Sequence, residues 1–418
     1  MNNKQLNRII IFLLSFYLLI DATNGFLTLR LGLDVKLSVL YKSVILLLVI
    51  IAVIKNKPRY LIGGLILFLV LFFSEFLAIY TGKTTGDKLA FTIQHIIKVL
   101  TYLVLFIYLK IIIDKDPLYI KKVEKIIQIN CAVYLTNIFL GIAGFGFSTY
   151  GGDVNESSVG VKGFFYAGNE ISMLMVVFSA YVLGKSYYKS KKLYLFWALL
   201  WIIVGFAIST KTAMAANLLL VIFIPIAIEG RTLINFSNKK SYYFAAFLTS
   251  FFISSFMVVS WFVETNIYLR LMYVFRKQGL IGILMSNRDL YLGNLLDFFF
   301  TKESMLSLLF GNGISLYADN LKYSAELDLP DIFFWQGIFG VIIVLCIFLS
   351  ITKPAFVRFM GVAYPYAPVV LITNILLFII SNISGHVLTS GMLGFLWPCF
   401  CVLAFIRKDQ LPNKVFSK

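Results

Sequence analysis

Charge is scarce in this chain. Charged residues make up 14% of its 418 residues, against roughly 25% in soluble domains. So little charge excludes an ordinary soluble globular protein. No polar segment is longer than the one from about 264 to 331, so no separate soluble domain is expected. The sequence predicts one polytopic membrane domain over residues 1–418.

Histidine and cysteine are also rare. The chain has two histidines, His95 and His386, and four cysteines that all fall in apolar stretches. The cysteines have no neighbouring ligand residues, and Cys399-Phe-Cys401 is too short a spacing for a zinc pair. Glycine-rich phosphate loops and nucleotide motifs are missing as well. We therefore expect no metal site and no cofactor.

Apolar runs fill the sequence instead. Hydrophobic residues make up 60% of the chain, and runs of about 20 of them recur, each long enough to cross the hydrocarbon core of a bilayer. The pattern predicts an all-α integral membrane protein with about twelve transmembrane helices. The predicted spans are 9–29, 37–54, 60–80, 89–109, 126–147, 169–187, 193–208, 210–228, 242–263, 332–352, 364–382 and 387–406.

Basic residues predict the orientation of these spans. Alternate loops, together with both ends of the chain, carry 23 of the 37 lysines and arginines, so this set is expected to be cytoplasmic. Its segments are 1–8, 55–59, 110–125, 185–192, 231–240, 353–358 and 407–418. The net charge of +17 then reflects this bias and contact with anionic membrane lipids, and it requires no nucleic-acid partner.

The other loops are predicted to be extracytoplasmic, and polar residues open two of the helices that start there. Asn169 and Glu170 follow the stretch GFFYAG and precede an apolar run, and Lys211 opens the next such helix. A helix N-terminus attracts phosphate oxygens. The structural alternatives are an N-cap for Asn169, a first-turn acid for Glu170 and an interfacial anchor for Lys211.

The segment 264–331 is the long extracytoplasmic loop in this topology. Its first part predicts an amphipathic helix in the headgroup layer, with Arg270 and Lys277 on one face. Arg288 is predicted to lie at a helix start further on. Three acids lie close together near the end of the segment, either as a solvated loop whose last member caps span ten or as a functional group: Glu326, Asp328 and Asp331.

Two adjacent predicted spans carry charge inside the bilayer. Glu75 lies in span three, and His95 and Lys98 lie on one face of span four. Charges in lipid are costly and are usually paired. A structural Glu75–Lys98 ion pair is the leading interpretation, and a polar wall of a lipid-diphosphate groove is the alternative.

The order of short motifs resembles the O-antigen ligase/polymerase superfamily. The motifs are Asn169 after its glycine-aromatic run, then ISTKTAMAA, SNRDLYLGN, LFGNGIS and an acidic stretch before WQGIFG. Members are bacterial enzymes that process undecaprenyl-diphosphate-linked glycans outside the cytoplasmic membrane. The resemblance covers residues 160–390. It implies a GT-C-like membrane fold, a bacterial inner-membrane location with both termini cytoplasmic, and catalysis without metal or nucleotide.

The resemblance also implies roles for the basic residues. The family pattern has Ser-Arg-x-Ala where this chain has Ser209-Thr-Lys211-Thr-Ala, and Ser-Gly-Arg where it has Ser286-Asn-Arg288. Arg288 and Lys211 therefore match two outer basic residues that are thought to hold the lipid diphosphate. Lys162 and Arg270 are further candidates for that role, and Asn169 is a candidate for contact with substrate.

The catalytic base stays open at this point. Ligases of the superfamily carry a histidine after the Gly-x-Gly turn, and this chain has acids there instead, which favours the Wzy-type polymerase branch. The candidate bases are Glu326, Asp328, Asp331, Glu170 and His386. We expect a polymerase of O-antigen or capsular repeat units, with a chain-length regulator as a candidate partner. The alternatives are a glycan ligase and a transporter of lipid-linked oligosaccharides.

Overall fold

A computed structural model describes residues 2–150, 159–233, 249, 266–286, 288–301, 305–320, 324–361 and 363–410. The described chain is mostly helical, with one two-stranded sheet. The longer α-helices are α1 (Asn3–Leu31), α2 (Leu37–Asn56), α3 (Arg59–Tyr80), α4 (Leu89–Lys115), α5 (Tyr119–Ile142), α6 (Gly168–Lys189), α7 (Lys191–Ile208), α8 (Lys211–Leu233), α9 (Asn266–Met285), α10 (Arg288–Thr301), α13 (Asp328–Arg358) and α14 (Ala367–Ile383). The shorter ones are α11 (Met305–Phe310), α12 (Ile314–Asn320) and α15 (Leu393–Cys401), and 3-10 turns cover Val402–Phe405 and Lys408–Gln410.

Within these described ranges, nine helices are long and apolar enough to cross a membrane, namely α1 to α8 and α13. The described chain is thus mostly helical, and its long apolar helices are consistent with an all-α, multi-pass membrane protein. The predicted number of twelve spans is not confirmed. The predicted span 242–263 lies outside the described residues, and the last two predicted spans correspond to shorter apolar helices, Ala367–Ile383 and Leu393–Phe405.

Helix α6 lies at the centre of the bundle. In an apolar stretch of 18 residues in α6, 83% is buried within the protein, whereas the corresponding share is 22% in α2 and in α3. The sequence of α6 is apolar on every side, as expected for a helix surrounded by other helices. It packs against α7, α8, α14 and α15. The first turn of α6, which carries Asn169 and Glu170, is therefore held in the middle of one end of the bundle.

A β-hairpin lies beside that end. Strands β1 (Phe147–Tyr150) and β2 (Val159–Gly163) pair antiparallel. The side-chain amide of Asn137 in α5 fixes the second strand, because its Nδ2 donates to the carbonyl of Lys162 at 3.0 Å and its Oδ1 accepts from the N–H of Phe164 at 2.9 Å. Thr149 donates to the carbonyl of Ile208, at the end of α7, at 2.8 Å. The hairpin, which the sequence did not predict, joins the ends of α5, α6 and α7.

The LFGNGIS and WQGIFG motifs meet at a kink in α13. Gly337 has φ 65° inside this helix, and the carbonyls of Phe334 and Trp335 accept hydrogen bonds from the N–H groups of Asn312 and Gly313, each at 3.0 Å. A Cβ on Gly337 would lie 2.4 Å from the backbone of Leu309. The kink is therefore what lets the LFGNGIS segment dock on the helix.

We expect Gly337→Ala to destabilise the protein strongly. The alanine would adopt an unfavourable positive φ, which costs on the order of 1–3 kcal/mol, and its Cβ would push the Leu309 backbone away. The measurement is the thermal unfolding midpoint of the purified protein in detergent. The matched control is Gly293→Ala in α10, where an added Cβ meets no described atom within 4 Å. An unchanged midpoint for Gly337→Ala would show that the kink is not required.

Candidate functional site

One cavity lies at the end of the bundle where α6, α8 and α10 begin. Its volume is about 240 Å³. The α7–α8 turn, the loop before α13 and the end of α14 complete its wall. The lining residues are Tyr150, Asn169, Ser172, Met173, Thr210, Lys211, Thr212, Ser286, Arg288, Glu326 and Ser384. Four residues that the sequence singled out are thus brought together from distant parts of the chain, namely Asn169, Lys211, Arg288 and Glu326.

Arg288 is the first residue of α10, and only 8% of it is exposed. Its Nη2 donates to Oε2 of Glu326 at 2.9 Å. Its Nε is buried and has no hydrogen-bond partner among the residues that the structure describes. A buried guanidinium with an unsatisfied N–H is costly. Arg288 also lines the cavity, so its positive charge acts on any anionic ligand there.

Lys211 provides a second cation on the same wall. It is the first residue of α8, and its Nζ donates to Oγ of Ser286 at 2.9 Å. Ser286 lies two residues before Arg288, so the two basic motifs meet through this serine. Both cations stand at helix N-termini, where the helix dipole adds positive potential. The combined field favours an anion in the cavity.

The rest of the wall is rich in hydroxyl groups. Ser172 and Thr210 share a hydrogen bond of 2.7 Å, and Thr212 and Ser384 share one of 2.8 Å. These residues were not predicted as site residues, although Thr210 and Thr212 belong to the STKT stretch and Ser384 lies two residues before His386. Hydroxyls both donate and accept, so this wall suits a ligand with many hydroxyls of its own.

Asn169 does not cap α6. The helix begins at Gly168 with Ala167 as its N-cap, and the cap makes no side-chain hydrogen bond. Asn169 is instead exposed and lines the cavity. The interpretation of Asn169 as an N-cap is wrong, and its amide is placed where it can contact a ligand.

Glu326 and His386 face each other beside the cavity. The Nε2 atom of His386 lies 3.8 Å from Oε2 of Glu326, too far for a hydrogen bond but close enough for an ion pair when the imidazole is protonated. Burial alone would lower the pKa of His386, but Glu326 and Asp328 outweigh burial, so its pKa is raised above 6.5 even though Arg288 opposes them. Glu326 lies on the cavity wall, and His386 lies behind it.

Backbone strain is concentrated here. In the described part of the chain, five non-glycine residues have a positive φ: Lys36, Ser209, Ser286, Glu326 and His386. All but Lys36 line the cavity or adjoin a residue that lines it. Each such residue costs about 1–3 kcal/mol and persists only where the surroundings enforce it. Strain of this kind is typical of functional sites.

The other candidate acids are buried away from the cavity wall. Asp328 and Asp331 are each 3% exposed and accept hydrogen bonds from backbone N–H groups. Asp331 is not the cap of α13, because the N-cap position is Leu327. The interpretation of the acids as a solvated loop is wrong for these two. Glu170 accepts from the hydroxyl of Ser390 and from the N–H of Met392 at 2.8 Å.

Two candidate cations lie elsewhere. The Nζ of Lys162 is 3.4 Å from the carbonyl oxygen of Tyr166, outside the cavity lining, and burial lowers its pKa. Arg270 lies in α9, which confirms the predicted helix, but its side chain is not among the described ones. The structure therefore brings together Arg288 and Lys211, and neither Lys162 nor Arg270 is seen with them.

The predicted Glu75–Lys98 pair is wrong. The buried carboxylate of Glu75 accepts from the hydroxyl of Thr92 at 3.0 Å and from the N–H of Ile314 at 2.9 Å. It thus ties α3 and α4 to the start of α12. Backbone donors from a distant segment supply the partner that lysine was expected to supply.

Metal ligands are not clustered. Among the described residues, no group of three or more His, Cys, Asp or Glu side chains could hold a metal ion.

Comparison of the chain with protein-family models, with curated proteins and with solved structures gave no match.

Proposed function

We propose that this protein is a membrane glycosyltransferase that polymerises undecaprenyl-diphosphate-linked oligosaccharide repeat units into O-antigen or capsular polysaccharide. The observation that supports it best is the joint presence of Arg288, Lys211 and Glu326 on one cavity wall. Two cations and a carboxylate, lined by hydroxyls and set at the end of an apolar bundle, match a substrate with a diphosphate, a sugar and a lipid tail. The motif order adds the resemblance to O-antigen polymerases and their GT-C-like fold.

Arg288 and Lys211 would bind the diphosphate. As the bond between the anomeric carbon and the diphosphate oxygen breaks, negative charge grows on the leaving group. Fixed cations at that position stabilise the transition state more than the ground state. The donor sugar is already activated by its diphosphate, so the reaction needs no nucleotide.

Glu326 would act as the general base. A hydroxyl of the acceptor glycan attacks the anomeric carbon, forms the new glycosidic bond and passes its proton to the carboxylate. Among the five candidate bases, Glu326 is the one on the cavity wall. His386 stands 3.8 Å behind it and is placed to adjust its charge. Asn169 and the hydroxyl wall would contact the sugar.

The direct test uses the purified protein in liposomes that contain the lipid-diphosphate-linked repeat unit. A ladder of products that differ by one repeat supports a polymerase. Transfer of a glycan to a separate acceptor, with no ladder, would identify a ligase. Movement of the substrate between leaflets without a new glycosidic bond would identify a transporter. Either of the last two results would overturn the proposal.

The proposed topology places the cavity on the extracytoplasmic face. Asp297 in α10 is exposed, so in a cysteine-free background Asp297→Cys should react with an impermeant thiol reagent before the cytoplasmic membrane is opened. Asp114→Cys, exposed at the opposite, predicted cytoplasmic end, should react only after lysis. The reverse pattern would put the cavity inside the cell, where the proposed reaction does not occur.

Lys211 should tolerate arginine but not alanine. Arginine keeps the charge, and the family pattern has arginine at this position. Lys211→Ala removes a charge-assisted contact, which corresponds to a loss in kcat/KM of about 10- to 100-fold. The matched control is Lys277→Ala, an exposed lysine on α9, which should have no effect. Equal activities of Lys211→Ala and the control would remove Lys211 from the site.

A further inference from the structure

The three acids before α13 have three different environments. Glu326 lies on the cavity wall, with 28% of its side chain exposed. Asp328 and Asp331 are buried, and both of their carboxylates are occupied by hydrogen bonds from loops. Direct contact with a substrate therefore cannot be the role of Asp328 and Asp331.

Asp331 holds the loop that carries Glu326. Its Oδ1 accepts from the N–H of Ala325 at 2.6 Å, and its Oδ2 accepts from the N–H of Leu327 at 3.0 Å. The hydroxyl of Ser324 donates to the same carboxylate at 2.6 Å and accepts from the N–H of Glu326 at 2.8 Å. Both neighbours of Glu326, and its own N–H through Ser324, are thus tied to one carboxylate.

Asp328 holds the turn that carries His386. Its two oxygens accept from the N–H groups of His386 at 2.9 Å and of Val387 and Leu388 at 2.8 Å each. The hydroxyl of Thr389 approaches at 3.3 Å. Three consecutive N–H groups on one carboxylate define the backbone of this turn, including the positive φ of 61° at His386.

The two loops are in contact. A Cβ on Gly385 would lie 2.1 Å from the carbonyl oxygen of Glu326, so the backbones touch where the side chains of Glu326 and His386 face each other. Asp328 and Asp331 are three residues apart at the start of α13 and so share one face of the helix. One rigid helix end therefore controls both loops.

We propose that Asp328 and Asp331 are positioning residues that hold His386 and Glu326 opposite each other at the cavity. Their effect on turnover rests on the proposed function, whereas their effect on the geometry of the pair does not. The interpretation of Asp328 or Asp331 as the catalytic base is replaced by this role, since neither carboxylate lines the cavity.

His386 provides a direct readout of that geometry. The chain has two histidines, so histidine-selective labelling gives two NMR signals, and a His386→Ala sample identifies the one from His386. The groups that act on its pKa are Glu326 and Asp328, which raise it, and Arg288, which lowers it, with His95 of α4 also close enough to interact. Because the pKa is raised above 6.5, the imidazolium and its ion pair with Glu326 are the major form at pH 6.5 and below. They are lost as the pH rises through the raised pKa.

Asp328→Asn should lower the pKa of His386, because a neighbouring negative charge that raises it is removed. Asp331→Asn should lower it too, because the released loop lets Glu326 move away. The matched control is Glu75→Gln, which also removes a buried carboxylate that accepts backbone N–H groups but contacts neither loop. It should leave the titration of His386 unchanged, although it loosens the fold.

Turnover provides the second readout. Both asparagine variants should lower kcat by at least about tenfold while KM changes little, because a small misplacement of reacting groups acts on the chemical step. Asp328→Glu keeps the negative charge, and it tests the positioning role if Asp328→Asn does not fold. It should retain a raised pKa at His386 but lose kcat, because the longer side chain displaces the turn.

Different results overturn the two proposals. If His386 titrates as in the wild type in folded Asp328→Asn and Asp331→Asn, or if Asp328→Glu has wild-type kcat, the positioning role is wrong even though the protein polymerises glycans. If no glycan product forms with any variant or with the wild type, the proposed function fails, and the titration still tests the positioning role by itself.

Discussion

Arg288→Ala is expected to abolish detectable polymerisation, with a fall in kcat of about 10³-fold, the upper end of the effect of removing one stabilising donor. The guanidinium is the buried cation of the cavity, and it also holds Glu326 through Nη2. Under the proposed function, its loss would remove stabilisation of the leaving diphosphate, and it would also remove the 2.9 Å hydrogen bond that Arg288 donates to Glu326. Both effects weaken the same transition state, which is why this variant should be the most severe. The product ladder in reconstituted liposomes measures the effect.

Arg288→Lys should recover little of this loss. A guanidinium has five N–H donors in a planar fork and can hold Glu326 and a phosphate oxygen together, whereas an ammonium at the end of a flexible chain cannot reproduce both contacts. The matched control is Arg276→Ala, an exposed arginine on α9, which should give a normal ladder. A normal ladder from Arg288→Ala, at normal protein levels, would remove the cation from the mechanism.

Glu326→Gln is expected to reduce kcat by at least about 100-fold, the size of effect that is typical for loss of a general base. The amide keeps the shape of the side chain and an oxygen for Arg288, but it cannot take up a proton. Binding of the lipid-linked donor, measured on the detergent-solubilised protein, should change little. The effect should therefore appear in kcat rather than in KM.

His386→Ala separates the two remaining candidates for the base. If Glu326 accepts the proton, the histidine variant keeps part of its activity, because it removes a neighbour of the base and not the base itself. If His386→Ala makes no product and Glu326→Gln makes chains of normal length, the histidine is the base. Oε2 of Glu326 and Nε2 of His386 are 3.8 Å apart. The two variants therefore change neighbouring groups at one place in the site.

The sequence predicted the helices well because their signal is local. Eleven of the twelve predicted spans fall on described apolar helices, usually within a few residues, since run length and charge are read from neighbouring positions. One difference has a cause that is not local. Helix α13 begins four residues earlier than predicted, because its acidic first turn reads as a polar loop when the loops that it binds are unknown.

Site residues were predictable mainly where a polar or charged residue stands in a stretch of sequence that was expected to lack it. Lys211 and Arg288 stood out as cations at helix starts in loops that were expected to carry few basic residues. The partners of Glu75 and Asp328 were not predictable, because their hydrogen bonds join residues 239 and 58 to 60 positions apart. A buried carboxylate bound to backbone N–H groups has the same sequence signal as an exposed one.

The volume of the cavity has a consequence for substrate choice. About 240 Å³ is close to the space of eight water molecules, at about 30 Å³ each, and it is smaller than most pockets for drug-sized ligands. A complete oligosaccharide repeat unit is larger than the space enclosed by the described residues. Only the diphosphate and the sugar attached to it would enter, and the remaining sugars would stay outside in water. An enzyme built in this way would inspect the first sugar closely and tolerate changes in the rest, so repeat units from other strains that share this sugar should be polymerised as well.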